Sequence, residues 1–427
     1  MLEIARRTVG LCWRTWPLLV AIFLVGWLAR YWLLQLAIEI GINWGNLWAY
    51  LVLPLAPLTR LLSYLAMFLV LRSVTPGLRT ATMHRAGARS LIDIVLGAIV
   101  PFLVLYTTWK LIEEDYFVYL TSVQYRGLYE STGADFAAQL ASDAGAWFWV
   151  LIGVAFVLRS VLARLRERLP GWTAIVIAYL DAVWLFLTLT AAARAVFGSP
   201  QWILERRIVV WLTDTKDDVV ARFGVLGQLW DGSVAVVVAL ATVVGLSLTW
   251  VALASVVFGT PFTPTWDSAR RAMLGHRGGE RLGGVVERGQ NAVRPWWQRV
   301  PAGLRSRLVE LVREQLARFG PLVDAVRLIL HGGAVPIAFF VLGYATLTVL
   351  APSGAYFSGA VTDGYLWRAV ALVIGPHEWL WWETYREPIR VAIGAVIDPL
   401  RIALIAATFW YCVDRTLASR EPDHVAV

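Results

Sequence analysis

Charged residues are scarce in this sequence. They make up 16% of its 427 residues, whereas 58% of the residues are hydrophobic, and a typical soluble domain carries about 25% charged residues. Apolar runs of about twenty residues, the length that a helix needs to cross a bilayer, recur along the whole chain. The shortage of charge therefore argues against an ordinary soluble domain and predicts a polytopic membrane protein.

Cysteine, histidine and lysine are also rare. Cys12 and Cys412, the two cysteines, lie near opposite ends of the chain, and the five histidines are scattered singly. This distribution offers neither a metal-ligand spacing nor a disulfide framework, so we expect no metal site and no cofactor. Only two of the 38 basic residues are lysine, so arginine carries the net charge of +8.

The sequence lacks the usual signatures of membrane enzymes. The segment "EEDYFVY" (113–119) begins like the Glu-Glu-x-x-x-Arg motif of intramembrane prenyl-protein proteases, but Val118 occupies the arginine position. A His-Glu-x-x-His motif, a Ser/His arrangement and a phosphate-binding glycine loop are missing as well. We predict no catalytic residues. If the protein were an enzyme, we would expect acidic residues of the outer segments to lie together in one cleft. The candidates are Glu39, Glu113, Glu114 and Glu383.

The apolar runs predict a bundle of eight transmembrane helices. The runs are continuous rather than alternating, which favours helices over the strands of a membrane barrel. The first run has a basic start but no cleavage site, so it is predicted to be an uncleaved span. The expected spans are residues 16–38, 50–71, 91–109, 145–162, 172–196, 233–258, 334–351 and 391–413.

The arginines predict the orientation of these spans. With both termini inside, the cytoplasmic segments hold 25 basic and 11 acidic residues, and the outer segments hold 9 basic and 16 acidic residues. Such a bias is the topology signal of a cytoplasmic (plasma) membrane protein. It also accounts for the high net charge, so a nucleic-acid partner is not expected.

One cytoplasmic segment is long enough to have a role of its own. Residues 259–333 separate spans 1–6 (1–258) from spans 7–8 and the tail (334–427), and they begin as a Gly- and Arg-rich linker. Within them, 302–319 has leucines at helical spacing opposite a basic face, which predicts an amphipathic helix on the anionic inner leaflet. The alternative is a helix packed under the bundle.

A weak internal repeat suggests how the bundle is built. The second and fourth spans both end in Leu-Arg-Ser-Val, at 71–74 and 158–161. This similarity fits a repeated helical hairpin, although helix ends at a basic interface also resemble one another by chance.

The segment "AVIDPLRIAL" (395–404) places two charges inside an apolar span. Asp398 and Arg401 are three residues apart and therefore share one helix face. Arg60 and Asp181 lie at a similar predicted depth in the second and fifth spans. Charges at this depth are costly and usually face the bundle interior. These four residues are candidates for a binding or translocation site, or for a structural centre that fixes helix register.

Other charges and aromatic residues admit simpler interpretations. Asp93, Arg159, Arg30 and Arg194 lie near predicted span ends, where their side chains can extend to the membrane surface. Near the last span, aromatic residues form either a platform for a sugar or lipid headgroup or an interfacial anchor. They are Trp379, Trp381, Trp382 and Tyr385.

The sequence thus predicts an all-α integral membrane protein with a transporter- or channel-like role. The alternative is an accessory or scaffold subunit of a cell-envelope assembly or export complex, and an enzyme acting on lipid or glycan ranks third. Expected partners are membrane lipids, together with a membrane protein or a second copy of the chain. A transporter predicts a cavity that reaches the charged centre, whereas a scaffold predicts a dry centre and an exposed apolar flank.

Overall fold

The computed structural model describes most of the apolar segments. It covers residues 2–75, 111–130, 146–197, 331–351 and 364–418, with single helical residues between 95 and 106, between 244 and 258, and at 327–328. Secondary structure in the five long segments is helical. The helices are α1 (Leu2–Trp44), α2 (Asn46–Val52), α3 (Leu55–Val74), α4 (Leu111–Glu130), α5 (Ala146–Arg164), α6 (Thr173–Phe197), α7 (Ala334–Leu350), α8 (Gly364–Ile374) and α9 (Trp379–Ala418).

Five helical segments are long and apolar enough to cross a membrane. They are Leu2–Trp44, Asn46–Val74, Trp147–Arg164, Thr173–Ala191 and Trp379–Arg415. Each contains most of one predicted span, so the prediction of an all-helical protein with several apolar spans is confirmed.

The remaining predicted spans are covered in part. α7 matches the span at 334–351 but has 17 residues, fewer than the other five. The described residues of 91–109 and 233–258 are helical and largely buried. The amphipathic segment 302–319 lies outside the described residues. The count of eight spans and the orientation of the termini stay predictions.

α1 is the central helix of the described bundle, because it packs along both α3 and α9. Two glycines permit these close approaches. A Cβ on Gly26 would lie 2.5 Å from the Cβ of Ser63 on α3, and one on Gly394 of α9 would lie 2.8 Å from Cζ of Phe23 on α1. Small residues have this role in membrane bundles, where packing rather than a hydrophobic driving force holds helices together.

A row of buried aromatic rings joins three predicted spans. Phe258 lies 5.6 Å from Phe68 of α3 and 5.2 Å from Phe409 of α9, measured between ring centroids. All three side chains are buried. The sixth predicted span therefore contributes to the same core as α3 and α9.

α4 occupies the first part of a segment that was predicted to be an outer loop. Its Tyr119 hydroxyl donates to Oδ1 of Asn46 at 2.5 Å and sits against Gly41 at the end of α1. Leu111, Ile112 and Val123 are buried on the same side. α4 therefore folds back onto α1 and is part of the packed structure.

Candidate functional site

The two charges of "AVIDPLRIAL" form an ion pair within α9. The Arg401 guanidinium donates to Oδ1 of Asp398 at 2.7 Å, as their spacing predicts. The residues are 3% and 5% exposed, so the pair is sequestered from solvent. Arg401 also donates to the backbone oxygen of Ala351 at 3.0 Å and lies over the ring of Tyr344.

Tyr64 connects this pair to Arg60 of α3. Its hydroxyl donates to Oδ2 of Asp398 at 3.4 Å and accepts from Nε of Arg60 at 3.2 Å. We call Arg60, Tyr64, Asp398 and Arg401 the central cluster. The structure thus brings three of the four predicted site residues together, through a tyrosine that sequence reasoning did not identify.

Arg60 differs from the other members of the central cluster. Its side chain is only partly buried. Among the described residues, its hydrogen-bond partner is the neutral Tyr64, and no carboxylate lies within ion-pairing distance. Its guanidinium also lies 5.6 Å from the ring centroid of Trp27 on α1. The cluster therefore carries one more positive than negative charge.

Asp181 belongs to a different pair. Its Oδ1 lies 2.6 Å from Nε of Arg159 on α5 and accepts a hydrogen bond from the Trp184 indole at 3.0 Å. The contact with Arg159 has ion-pair distance without hydrogen-bond geometry. The expectation that Arg159 extends to the membrane surface is wrong, because its side chain is only 11% exposed and faces Asp181.

A second buried cluster forms where α4 meets α1 and α9. Arg30 binds Oδ1 of Asp115 through two guanidinium nitrogens, and the Tyr106 hydroxyl donates to Oδ2 of Asp115 at 2.7 Å. Next to Asp115, Glu114 accepts from Arg390 of α9 at 2.8 Å. We call Arg30, Tyr106, Glu114, Asp115 and Arg390 the α4 cluster.

The prediction that the Arg30 side chain extends to the membrane surface is wrong. The side chain is buried, because α4 brings Asp115 to it. A sequence signal for this contact exists in the spacing of residues on one face of α4. Leu111, Asp115, Tyr119 and Val123 recur every four residues, and all four are buried, so Asp115 lies on an otherwise apolar helix face.

Trp27 lies between the two clusters. The Arg30 guanidinium carbon is 4.7 Å from its ring centroid, and that of Arg60 is 5.6 Å away. An indole face stabilises a nearby cation by about 0.5–2 kcal/mol, depending on desolvation. The two clusters therefore adjoin one another at Trp27.

The carboxylates that an outer enzymatic cleft would need have separate partners. Glu39 pairs with Arg126 at 2.5 Å, Glu114 with Arg390, and Glu383 with Arg386 at 2.7 Å. The side chain of Glu113 is outside the described set. Within the described part of the chain, His, Cys, Asp and Glu form no group of three or more suited to a metal ion.

The aromatic residues predicted as a platform or an anchor lie at the start of α9. Trp381 stacks on His377 with centroids 4.4 Å apart, and it contacts Trp382 at 4.9 Å and Tyr385 at 4.6 Å. Trp379 is 74% exposed. The rings therefore form a surface cluster. Its geometry fits an interfacial anchor and a headgroup platform equally well.

Comparisons with protein-family models, with curated proteins and with solved structures gave no match. The roles of these residues therefore rest on the geometry and chemistry of this chain alone.

Proposed function

We propose that this protein is a transporter- or channel-like protein of the cytoplasmic membrane that binds a small anionic solute at Arg60. The observation that carries the proposal is the unbalanced charge of the central cluster. Asp398 and Arg401 neutralise one another, and Arg60 is left with a neutral hydroxyl among the described residues.

The sequence offers few carboxylates to balance Arg60. The predicted spans contain three acidic residues: Asp93, Asp181 and Asp398. Asp181 and Asp398 have arginine partners. Asp93 is predicted about one helical turn from the cytoplasmic face, far from the midplane depth predicted for Arg60. An arginine at the bilayer centre costs about 2.5–3.5 kcal/mol on insertion scales. A carboxylate or phosphate of a solute would offset this cost, because a guanidinium binds either group through paired hydrogen bonds.

The α4 cluster supports a route to this site. It lies along α1 from Arg30 towards residues predicted to be outside, and it reaches Arg60 through Trp27. Glu114, within this cluster, has a buried carboxylate oxygen, Oε2, without a hydrogen-bond partner among the described residues. Ionisable groups buried in the interior of a membrane bundle usually line substrate or ion pathways.

Thermal unfolding in the presence of anions tests the proposal. The purified protein in a neutral detergent is heated with sodium phosphate, sulfate or succinate and compared with chloride at equal ionic strength. We expect at least one of these anions to raise the Tm, because a ligand that binds the folded state stabilises it. The Arg60→Gln variant should lose this Tm shift. Arg126→Gln, which removes an exposed guanidinium, is the matched control and should keep it.

Transport is then measured in liposomes with the anion that gives the largest Tm shift. Uptake should be lost in Arg60→Gln and retained in Arg126→Gln. The proposal fails if the three anions leave the Tm of the parent protein unchanged, or if Arg60→Gln responds as the parent does.

Two observations favour the accessory-subunit alternative. Asp398 and Arg401 are 5% and 3% exposed, as a dry centre predicts, and α5 has an exposed apolar face. α5 contacts mainly α6, and much of its surface is exposed and apolar, including Trp147, Trp149, Val154 and Val157. Lipid covers such a face by default, but a partner helix would fit it equally well. A photo-crosslinking residue at Val157 distinguishes the two, because a scaffold gives one discrete protein adduct in membranes and a lipid-facing helix gives lipid adducts.

A further inference from the structure

A basic cleft lies at the end of the bundle where α1 begins, far along α1 from the central cluster. Its volume is about 350 Å³, and it is formed by the first turns of α1, the end of α3 at Val74 and Thr75, and Trp410 of α9. Three arginines line it: Arg6, Arg7 and Arg14. In the predicted topology this end is cytoplasmic.

The three arginines have different roles in the cleft. Arg7 is fixed, because it pairs with Glu3 at 2.5 Å and Asp414 at 2.7 Å and stacks over Trp410 at 4.1 Å. Arg6 and Arg14 are exposed, and neither has an ion-pair partner within the described part of the chain. Glu3, the acidic residue of the lining, is engaged by Arg7. The cleft therefore presents two uncompensated guanidinium groups.

We infer that this cleft binds a phosphate group and that the phosphate belongs to the headgroup of an anionic phospholipid. Two guanidinium groups suit a phosphate because each offers parallel N–H donors. Basic pockets between transmembrane helices on the cytoplasmic side are typical sites for anionic headgroups. The volume is at the lower end of the range for ligand sites, about 300–1,000 Å³, which fits a headgroup better than a whole lipid.

The surroundings of the cleft favour a lipid over a soluble phosphate. On the same turns of α1, Leu2, Val9 and Trp13 are 87%, 65% and 87% exposed. Exposed apolar side chains beside a basic cleft are expected where acyl chains continue from a bound headgroup, and tryptophan favours the headgroup level of the membrane. None of the residues that line the cleft belongs to the predicted helix at 302–319.

Native mass spectrometry of the full-length protein with phosphatidylglycerol tests the inference. The double variant Arg6→Gln/Arg14→Gln should bind this lipid about 25-fold more weakly, because each arginine near an anionic surface contributes about fivefold. The control is Arg164→Gln/Arg168→Gln, which removes two exposed arginines, one at the end of α5 and one just after it. This segment is also predicted to be cytoplasmic. The control variant should bind as the parent does. If phosphatidylglycerol binding weakens equally in both double variants, the arginines act only by diffuse electrostatic attraction, and the assignment of a specific site is overturned.

A second variant keeps every charge and fills the cleft. Gly10 lines the cleft, and a Cβ placed on it meets no atom within 4 Å. Gly10→Leu is therefore accommodated without moving the backbone, and it also favours the helix. We expect this variant to fold normally and to lose phosphatidylglycerol binding. Unchanged binding in Gly10→Leu would contradict the assignment.

Two further ligands identify the source of the phosphate. Phosphatidylcholine, which carries no net charge, should bind weakly, and sodium phosphate should not displace phosphatidylglycerol. Displacement by sodium phosphate at equal concentration would show a site for a soluble anion and overturn the lipid assignment. Equal binding of phosphatidylcholine and phosphatidylglycerol would show that the arginines do not select an anionic headgroup, and it would also overturn the lipid assignment.

Discussion

The central cluster and the α4 cluster both contain buried ion pairs, but they are built differently. Asp398 and Arg401 are three residues apart in one helix. In the α4 cluster, Arg30 and Asp115 are 85 positions apart, and Glu114 and Arg390 are 276 apart. An ion pair within one helix does not by itself fix one helix against another. The α4 pairs join α4 to α1 and α9, so they hold these helices together as well as lining the proposed route. In the central cluster, the contact between α3 and α9 is made instead by the neutral hydroxyl of Tyr64.

The largest expected effect comes from breaking the α4 cluster. Asp115→Ala removes the partner of Arg30 and of the Tyr106 hydroxyl in a fully buried position. Breaking a buried pair typically costs about 3–5 kcal/mol, because the remaining charge is left uncompensated. We expect a loss of this size in the free energy of unfolding, measured by denaturant titration in detergent micelles.

The exposed pair between Arg126 and Glu39 provides the control for that loss. Arg126→Gln removes an ion pair whose side chains are 40% and 55% exposed. Such pairs contribute about 0–1 kcal/mol, so its stability should stay close to that of the parent. If Asp115→Ala is equally mild, the α4 cluster does not fix the helices and the comparison fails.

A somewhat smaller loss is expected in the central cluster. Asp398→Ala leaves Arg401 with its hydrogen bond to Ala351, so we expect a cost near the lower end of the range, about 3 kcal/mol. The double variant Asp398→Leu/Arg401→Leu should regain much of this stability, because both charges are gone. Thermal unfolding measures both variants.

The double variant also separates structure from function. If stability returns and anion binding does not, the pair serves binding. If both return, the pair was a replaceable structural element. If the double variant is no more stable than expected from two damaging single changes, Asp398 and Arg401 do not stabilise one another, contrary to the geometry.

A smaller loss of stability is expected when the Tyr64 hydroxyl, which connects Arg60 to Asp398, is removed. Tyr64→Phe removes one donor and one acceptor but keeps the ring, which packs edge-on against Trp250. A hydrogen bond of this kind contributes about 0.5–1.5 kcal/mol. The free energy of unfolding should fall by about 1 kcal/mol, and the anion-induced Tm shift should fall with it. A normal shift would show that Tyr64 does not position Arg60.

The last prediction changes no buried contact and establishes on which side each cluster lies. Single cysteines at positions 130 and 215 should react with a membrane-impermeant thiol reagent in intact cells, and a cysteine at 280 should not, because the arginine bias places 259–333 inside. Cys12 and Cys412 are buried, which keeps the background low. Labelling at 280 in intact cells would contradict the eight-span topology.

Local patterns in the sequence were enough to predict much of the bundle. Apolar runs predict helices α1, α3, α5, α6 and α9, because only a helix satisfies its own backbone groups in lipid. Helical spacing predicts that Asp398 and Arg401 can pair, because residues three apart share one face. Both features depend on neighbouring residues alone.

Contacts between distant segments could not be predicted in this way. Asp181 and Asp398 have the same predicted depth, but depth along the membrane normal says nothing about lateral position, and Asp181 lies beside Arg159. Arg30 seemed free to reach the surface because its partner, Asp115, lies in a segment whose low hydropathy concealed a packed helix.

The sequence by itself determined that this chain is helical and apolar, and that its arginines are unevenly distributed between alternate connecting segments. Composition and periodicity act through each residue and its near neighbours. The tertiary structure decided which charges neutralise one another. Arg30 finds Asp115, Arg159 finds Asp181, and Arg60 is left with Tyr64 among the described residues. Attraction between two buried charges repays their desolvation cost only when the groups approach closely and with good geometry, so the outcome depends on how the helices pack.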